Sequence, residues 1–356
     1  MRCITAWAPG KLVILGEYAV LTGGEPGVVA AVDRGVRVDL FPQRPGCSRA
    51  RTDAWWTPTL GAQQPRPGGV VDAALQTVTS YLQTMGMALS PFSLSIRSDL
   101  DRRHGKYGLG SSAAVAVAVV AAVLASAAPQ ALEGDRLVLF KLAAQAHFGA
   151  QGGGSGIDVA AAVYGGWTWY ASPGPAWMTS AATAPPSMVV GGAWPHLDIR
   201  GLSAPAADHL LVGFSGTSIT TGPRVARVQG WQSAHPAAFR RFLRRSRTTV
   251  QSFVQHWEGG QVEASIANLA SSRRLLCALG DDVGLVMEGP AARRMHHLAA
   301  RQGGVAKPSG AGGGDCSVAL LPNRGAWAAV MESWTAAGIA VLNWGVGGPG
   351  AQWGAL

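Results

Sequence analysis

Lysine is almost missing from this chain. Of 29 basic residues among 356, only Lys11, Lys106, Lys141 and Lys307 are lysines. Arginine supplies nearly every other cation, so a lysine marks a place that prefers a compact charge on a flexible stem to a rigid planar fork. Three of the four, Lys11, Lys106 and Lys307, sit beside glycine-rich segments. Cysteine is scarce too. Cys3, Cys47, Cys277 and Cys316 are far apart with no Cys-x-x-Cys pair, which argues against a thiol zinc site or a disulfide framework and fits a reducing cytoplasm. No hydrophobic run reaches the roughly 20 residues of a membrane span. The most apolar one, 113–128, is mostly Ala and Val and reads as a buried helix. Pro9, Gly10, Lys11 and Glu17 interrupt any targeting segment, so a soluble, cytoplasmic protein is expected.

Charge of either sign is sparse, at 14% of residues, while 48% are hydrophobic. Such a chain can bury a sizeable core, enough for two compact domains or one large one. A net charge of +9 invites a nucleic-acid reading, but most of the arginines are scattered. The exception is Arg240, Arg241, Arg244, Arg245 and Arg247, interleaved with Phe239, Phe242, Leu243, Val250, Phe253, Val254 and Trp257 at helical spacing. Two readings stay open there: the solvated face of an amphipathic helix, or a surface for an anionic ligand or partner.

Apolar residues 28–32, and then Val36, Val38 and Leu40 alternating with Arg37 and Asp39, predict a strand. So do Phe92, Leu94 and Ile96. The Ala/Val run predicts a helix stopped near Pro129, and Leu137, Phe140, Ala144 and Phe148 place a second helix ending in the glycines at 152–156. Residues 167–202, rich in Pro, Ser, Ala and Trp, show little helical periodicity and read as strands or a connection. The second half predicts a strand at 210–214, three helical patterns, a glycine cluster at 310–314, a strand at 317–321, a helix and a last strand near 339–342. The expectation is two α+β domains, 1–203 and 204–356.

Four segments carry chemistry. In KYGLGSSA, Gly108 and Gly110 let the backbone approach a ligand and tolerate positive φ. The helix that follows aims unpaired N–H groups and the positive end of its dipole at this loop. Together they form an anion site, to which Lys106 adds a full charge. Ser111 and Ser112 can cap the helix, or one hydroxyl can face Mg²⁺; a plain serine-capped helix after a glycine turn has the same pattern. The loop is neither a Walker A motif nor a dinucleotide fingerprint. In APGKLVILGEYAV, a glycine turn brings Lys11 onto a strand that Gly16, Glu17 and Tyr18 interrupt. In GSGIDVAAA, Asp158 lies between a glycine loop and a helical start, where capping is the plain reading. KPSGAGGGDC, beginning at Lys307, reads as a tight loop before a strand.

In this order and spacing, over about residues 6–345, the four segments resemble the GHMP small-molecule kinase superfamily: its first motif at 9–16, its ATP loop at 108–114 and its C-terminal glycine motif at 309–314. GEYAVL, the lysine two residues before GLGSS, GSGIDVAAAVYGG and KPSGAGGGDC are most similar to the phosphomevalonate kinases. The resemblance implies the α+β GHMP kinase fold, with an N-terminal domain like domain 2 of ribosomal protein S5 and a ferredoxin-like C-terminal domain. It implies transfer of the ATP γ-phosphoryl group to 5-phosphomevalonate with Mg²⁺, and neither a nucleic-acid nor a membrane partner.

Carried over residue by residue, it implies ATP binding by Lys106, Gly108, Leu109, Gly110, Ser111, Ser112 and Ala113. Substrate contact falls to Lys11, Glu17, Tyr18, Ser155, Gly156, Asp158, Ser309, Gly310 and Ala311. Catalysis falls to Lys11, Lys106 and Asp158, and metal binding to Ser112 and Asp158. Two departures stand out. Mevalonate kinases usually carry a histidine where Tyr18 stands. They also place a magnesium-binding glutamate eleven residues before the catalytic aspartate, a position held here by His147. Hard Mg²⁺ prefers oxygen, so no carboxylate–metal contact is expected from that helix. Asp158 matches the superfamily's general base. A phosphate acceptor with a second pKa near 6 is mostly ionised at neutral pH, so Asp158 is expected to orient Lys11 and a metal. The alternatives are another acceptor, such as mevalonate, and a catalytically silent binding module, which only the +9 charge supports.

Overall fold

The computed structural model describes residues 2–42, 48–52, 59–60, 69–102, 105–205 and 209–356. It opens with two long antiparallel strands, β1 (Ile4–Leu15) and β2 (Pro26–Pro42). The strand expected over 28–40 is β2, which runs two residues further at each end. Then come β3 (Ser48–Thr52), β4 (Thr59–Leu60), α1 (Val70–Thr84), β5 (Phe92–Ser98) and the hairpin of β6 (Asp101–Arg102) and β7 (Gly105–Lys106). Helices α2 (Ser111–Ala127), α3 (Leu137–Gln151) and α4 (Ile157–Tyr164) lead to β8 (Trp167–Ala171), α5 (Pro175–Thr183), α6 (Pro186–Gly191) and β9 (Asp198–Leu202). After β10 (Leu210–Phe214) follow α7 (Thr221–Ala234), α8 (Pro236–Glu258), α9 (Val262–Val283) and α10 (Pro290–Ala300). The chain continues with β11 (Val305–Pro308), β12 (Cys316–Leu320), α11 (Arg324–Ala336), β13 (Ala340–Leu342) and β14 (Gln352–Ala355).

Among the described residues, an eight-stranded sheet runs β14-β1-β2-β5-β3-β4, and a four-stranded sheet runs β11-β12-β10-β13. The length of β2 lets its first part pair with β8, which carries β9, and its last part with β5. Register shifts between Pro9 and Lys11 and between Val13 and Leu15 put bulges into β1. Bulges re-aim side chains, and the first lies at Lys11.

Helix α2 is the mount for the site. Every residue from 116 to 124 is buried, because small Ala and Val side chains let it lie between β1 and β2 on one side and α1 and α3 on the other. A helix with no polar stripe is a core helix, and its N-terminus is therefore held rigidly. Tyr18 and Ala19, just after β1, pack with Val228, Phe239, Phe242, Leu276, Leu279 and Val283, which ties that turn to α7, α8 and α9.

Three expectations need correction. Residues 167–202 hold α5 and α6 between their strands; both are short and begin with Pro at the first helical turn, where its fixed φ and missing N–H suit a helix start, yet neither is long enough to show periodicity. Four helices, not three, stand between β10 and the glycine cluster. Finally, β13 is not the last strand, since β14 returns to pair with β1, Ile4 opposite Ala355. The arginines of α8 are exposed while Phe239, Phe242, Val250, Phe253, Val254 and Trp257 are buried; Arg247 donates to Glu25 at 2.8 and 3.2 Å. Among the described residues no helix is long and apolar enough to cross a membrane.

Candidate active site

Gly10 sets the first contact. A Cβ there would lie 2.6 Å from Leu100 Cδ2 and 3.0 Å from the Leu109 carbonyl oxygen. Without one, β1 runs against the glycine loop, and the Lys11 amide donates to the Leu109 carbonyl at 2.9 Å. The Lys11 residue is only 7% exposed. Its Nζ donates to the Gly108 carbonyl at 3.4 Å and lies 3.6 Å from Asp158 Oδ1.

Gly108 and Gly110 both hold positive φ, 78° and 74°. Gly110 is the N-cap of α2 and offers no side chain to it, so Ser111 and Ser112 are the first two helical residues rather than caps. The first-turn amides thus face the loop without a side-chain acceptor, at the positive end of the helix dipole. Leu109 and Ala113 are buried, which leaves their backbone to serve a ligand. A Cβ on Gly110 would sit 3.1 Å from the Lys11 stem and 3.5 Å from Asp158 Oδ2. Lys11, the loop and Asp158 therefore meet at one point. Ser112 Oγ lies 3.0 Å from His147 Nε2. Lys106 has its backbone in β7, opposite Asp101; its side chain lies outside the described residues.

Helix α4 carries Asp158 in its first turn, with Gly156 (φ 88°) as N-cap, so Asp158 is not the cap. The buried Tyr170 hydroxyl donates to the Ser155 carbonyl at 2.5 Å. It would stand 2.6 Å from a Cβ on Gly156. Ser155 Oγ accepts from the Ile157 amide at 3.3 Å, which fixes the turn from both sides.

The C-terminal glycine loop closes over the same point. A Cβ on Gly310 would lie 3.9 Å from Lys11 Nζ. Ser309 is buried and its amide donates to the Cys316 carbonyl at 2.9 Å. The Ala311 carbonyl accepts from the Tyr18 hydroxyl at 2.6 Å and from Arg224 Nε at 3.0 Å. Glu17 is buried against the ammonium of Lys307, which is 0% exposed, and also accepts from the Gly310 backbone. Lys307 also donates to the carbonyls of Ile14, at 3.1 Å, and Pro308, at 2.8 Å. Burial pushes the Glu17 carboxyl above the ordinary range, while Lys307 pulls it back down.

Two residues at the site had no signal in spacing or periodicity. Arg224, on α7, braces Ala311. Asp315 adopts φ 56°, a left-handed conformation that few non-glycine residues take but Asp tolerates. Its Cγ would be 2.5 Å from a Cβ on Gly108. Its Oδ1 accepts from the Ile219 amide at 3.2 Å, and its own amide donates to the Thr217 carbonyl at 2.8 Å. Burial raises the Asp315 carboxyl. Burial also lowers His147, with Asp158 opposing and Lys11 adding to the shift. Among the described residues no group of three or more His, Cys, Asp or Glu side chains gathers to hold a metal.

Residues 70–166, which span α1 to α4 and so the loop and Asp158, match the family model described as the GHMP kinases N terminal domain. Over 96% of this chain and 96% of its relative, the sequence is 33% identical to a phosphomevalonate kinase of Streptomyces sp. (strain CL190). The chain belongs to the GHMP kinases. Its α+β architecture is the GHMP kinase fold. A Lin0012 protein from Listeria innocua superposes on this GHMP kinase with a TM-score of 0.91 at 28% identity, covering 99% of each chain. The Streptococcus pneumoniae phosphomevalonate kinase in complex with phosphomevalonate and AMPPNP gives a TM-score of 0.83 at 26% identity, over 96% of this chain and 99% of that one.

Proposed function

We propose that this GHMP kinase transfers the γ-phosphoryl group of ATP to (R)-5-phosphomevalonate, giving 5-diphosphomevalonate for isoprenoid precursor synthesis. The observation that carries the reading is the meeting of Lys11, the backbone of loop 108–112 and Asp158 at the uncapped N-terminus of α2. The choice of acceptor rests on the full-length likeness to a phosphomevalonate kinase. The reading divides the chain into an ATP-binding unit, 1–203, and a C-terminal unit, 204–356, whose strand β14 crosses back. It sets the enzyme in the cytoplasm, where the free thiols of Cys3, Cys277 and Cys316 stay reduced.

Phosphoryl transfer asks the protein for in-line positioning and for charge neutralisation. Loop 108–112 and the α2 amides hold the ATP phosphates, with Lys106 adding charge. An oxygen of the acceptor phosphate bonds to the γ-phosphorus while the bond to the β,γ-bridging oxygen breaks, and ADP leaves with that electron pair. Lys11 stands where charge develops between the two. Ser309, Gly310 and Ala311 cover the cleft, and Tyr18 and Ser155 shape its walls. Asp158 and Ser112 offer Mg²⁺ one carboxylate and one hydroxyl beside the phosphate loop, a hard-oxygen set that suits an ion whose remaining ligands are phosphate and water. Once bound there, Mg²⁺ would neutralise the phosphate charge.

Coupled ADP release with ATP and Mg²⁺ tests this against 5-phosphomevalonate, mevalonate, homoserine and galactose. Turnover is expected with 5-phosphomevalonate and background rates with the rest, and EDTA should abolish it. Faster turnover of any other acceptor overturns the assignment. Asp158→Asn separates an orienting role from a base. Because the acceptor is a dianion above about pH 7, loss of orientation should give a deficit in kcat/KM that stays flat between about pH 7 and 9. A deficit shrinking about tenfold per pH unit would restore the base.

A further inference from the structure

His147 is absorbed by no part of that mechanism, yet it stands on α3 behind the nucleotide loop with Nε2 3.0 Å from Ser112 Oγ. Ser112 lies in the first turn of α2, next to Gly110, against which Lys11 and Asp158 are both packed. Burial of α2 and α3 in the core holds both side chains to this pairing, since residues 116–124 and 139–146 around them are buried. A serine hydroxyl in a first helical turn is otherwise free to rotate and can bond back to its own backbone. Whichever partner carries the shared proton, the contact occupies one of the directions around Oγ and leaves its remaining capacity for the loop.

We propose that His147 is a positioning residue for the nucleotide: it fixes the Ser112 hydroxyl so that its oxygen faces the ATP phosphates and their Mg²⁺. Nitrogen in place of a carboxylate then serves the site through Ser112, without a direct bond to the ion. The inference rests on the kinase reading above, and its consequence is specific. Substitution of His147 should weaken metal–nucleotide binding, leave the acceptor alone, and have no effect where Ser112 has no hydroxyl.

The test is calorimetric binding of AMPPNP over a series of Mg²⁺ concentrations, with both KM values and thermal melts alongside. His147→Leu should raise the dissociation constant about five- to tenfold, the loss of one hydrogen bond that orients a polar group, and raise the Mg²⁺ needed for half-saturation. Acceptor KM should stay within about twofold. His147→Gln, whose amide reaches the place of Nε2, should recover binding to within about threefold of wild type. On a Ser112→Ala background, His147→Leu should add less than about twofold, as expected when one residue acts only through another. Should the Leu variant not fold, His147→Met replaces it. Unchanged binding in the Leu variant, an equal rise in acceptor KM, or a full extra loss on the Ser112→Ala background each overturns the proposal. If the wild-type protein binds no Mg²⁺–AMPPNP, the kinase reading falls with it.

Discussion

Lys11→Met should lower kcat by about 10²- to 10³-fold, the loss typical when a charge aimed at the transition state is removed. Methionine keeps most of the stem's bulk, so the packing between Gly110 and Gly310 survives and the effect is one of charge. Lys106→Met is expected to match it. Lys11→Arg should not rescue. Loop 108–112 and Gly310 crowd the lysine stem, with a Cβ locus 3.1 Å from it at Gly110, and a planar fork cannot take the place of a compact ammonium there. Single-turnover kinetics with 5-phosphomevalonate would measure the chemical step directly. A Lys11→Met rate within a few-fold of wild type removes Lys11 from the reaction.

The largest effect on stability is expected at Lys307. The ammonium is fully buried, and it donates to Ile14, Glu17 and Pro308, which matches its donors to acceptors. Lys307→Met strands the Glu17 carboxylate in the core, a change that costs about 3–5 kcal/mol and should lower Tm by about 4–7 °C in a chain of this length. Much of that cost is the stranded partner. The double variant Glu17→Gln with Lys307→Met should therefore lose clearly less than the two single losses added together. A melt of Lys307→Met within about 1 °C of wild type would show that the pair contributes little, since that is about the shift one kcal/mol produces in a chain of this length.

The same pair shows why part of the site was hidden in the sequence. Lys11, loop 108–112 and Asp158 were legible because glycines, a lysine and a helix start lie together in each short segment, and the chemistry of anion binding is local. Glu17 sits in such a segment too, but its partner is 290 positions away. Nothing short of the fold shows that its carboxylate faces Lys307 instead of a substrate. Asp315 was hidden differently: it takes a backbone conformation that glycine would normally supply, so its neighbours in the glycine cluster masked it. Arg224 reaches Ala311 from α7, a helix whose spacing says nothing about a distant loop. Among the elements, β2 and β5 announced themselves by alternation and α3 by helical spacing, while α2 and β1 showed as apolar runs beside glycine turns; α5 and α6 were too short to show a period, and β14 is defined by its pairing with β1 more than by its own residues.

The placement of the lysines has a chemical consequence. Lys307, Lys141 and Lys11 are 0%, 6% and 7% exposed, and Lys141 Nζ is tied to the carbonyls of Val190 and Gly192 at 2.8 and 2.7 Å. An acylating reagent added to the native protein can follow the substrates to Lys11, but it meets neither Lys307 nor Lys141 until the backbone around them opens. Each of these two guards a different seam: Lys141 the packing of α6 on α3, Lys307 the junction of β1 with β11. Local openings differ in free energy across one molecule, so the order in which these two amines become reactive ranks those seams by strength.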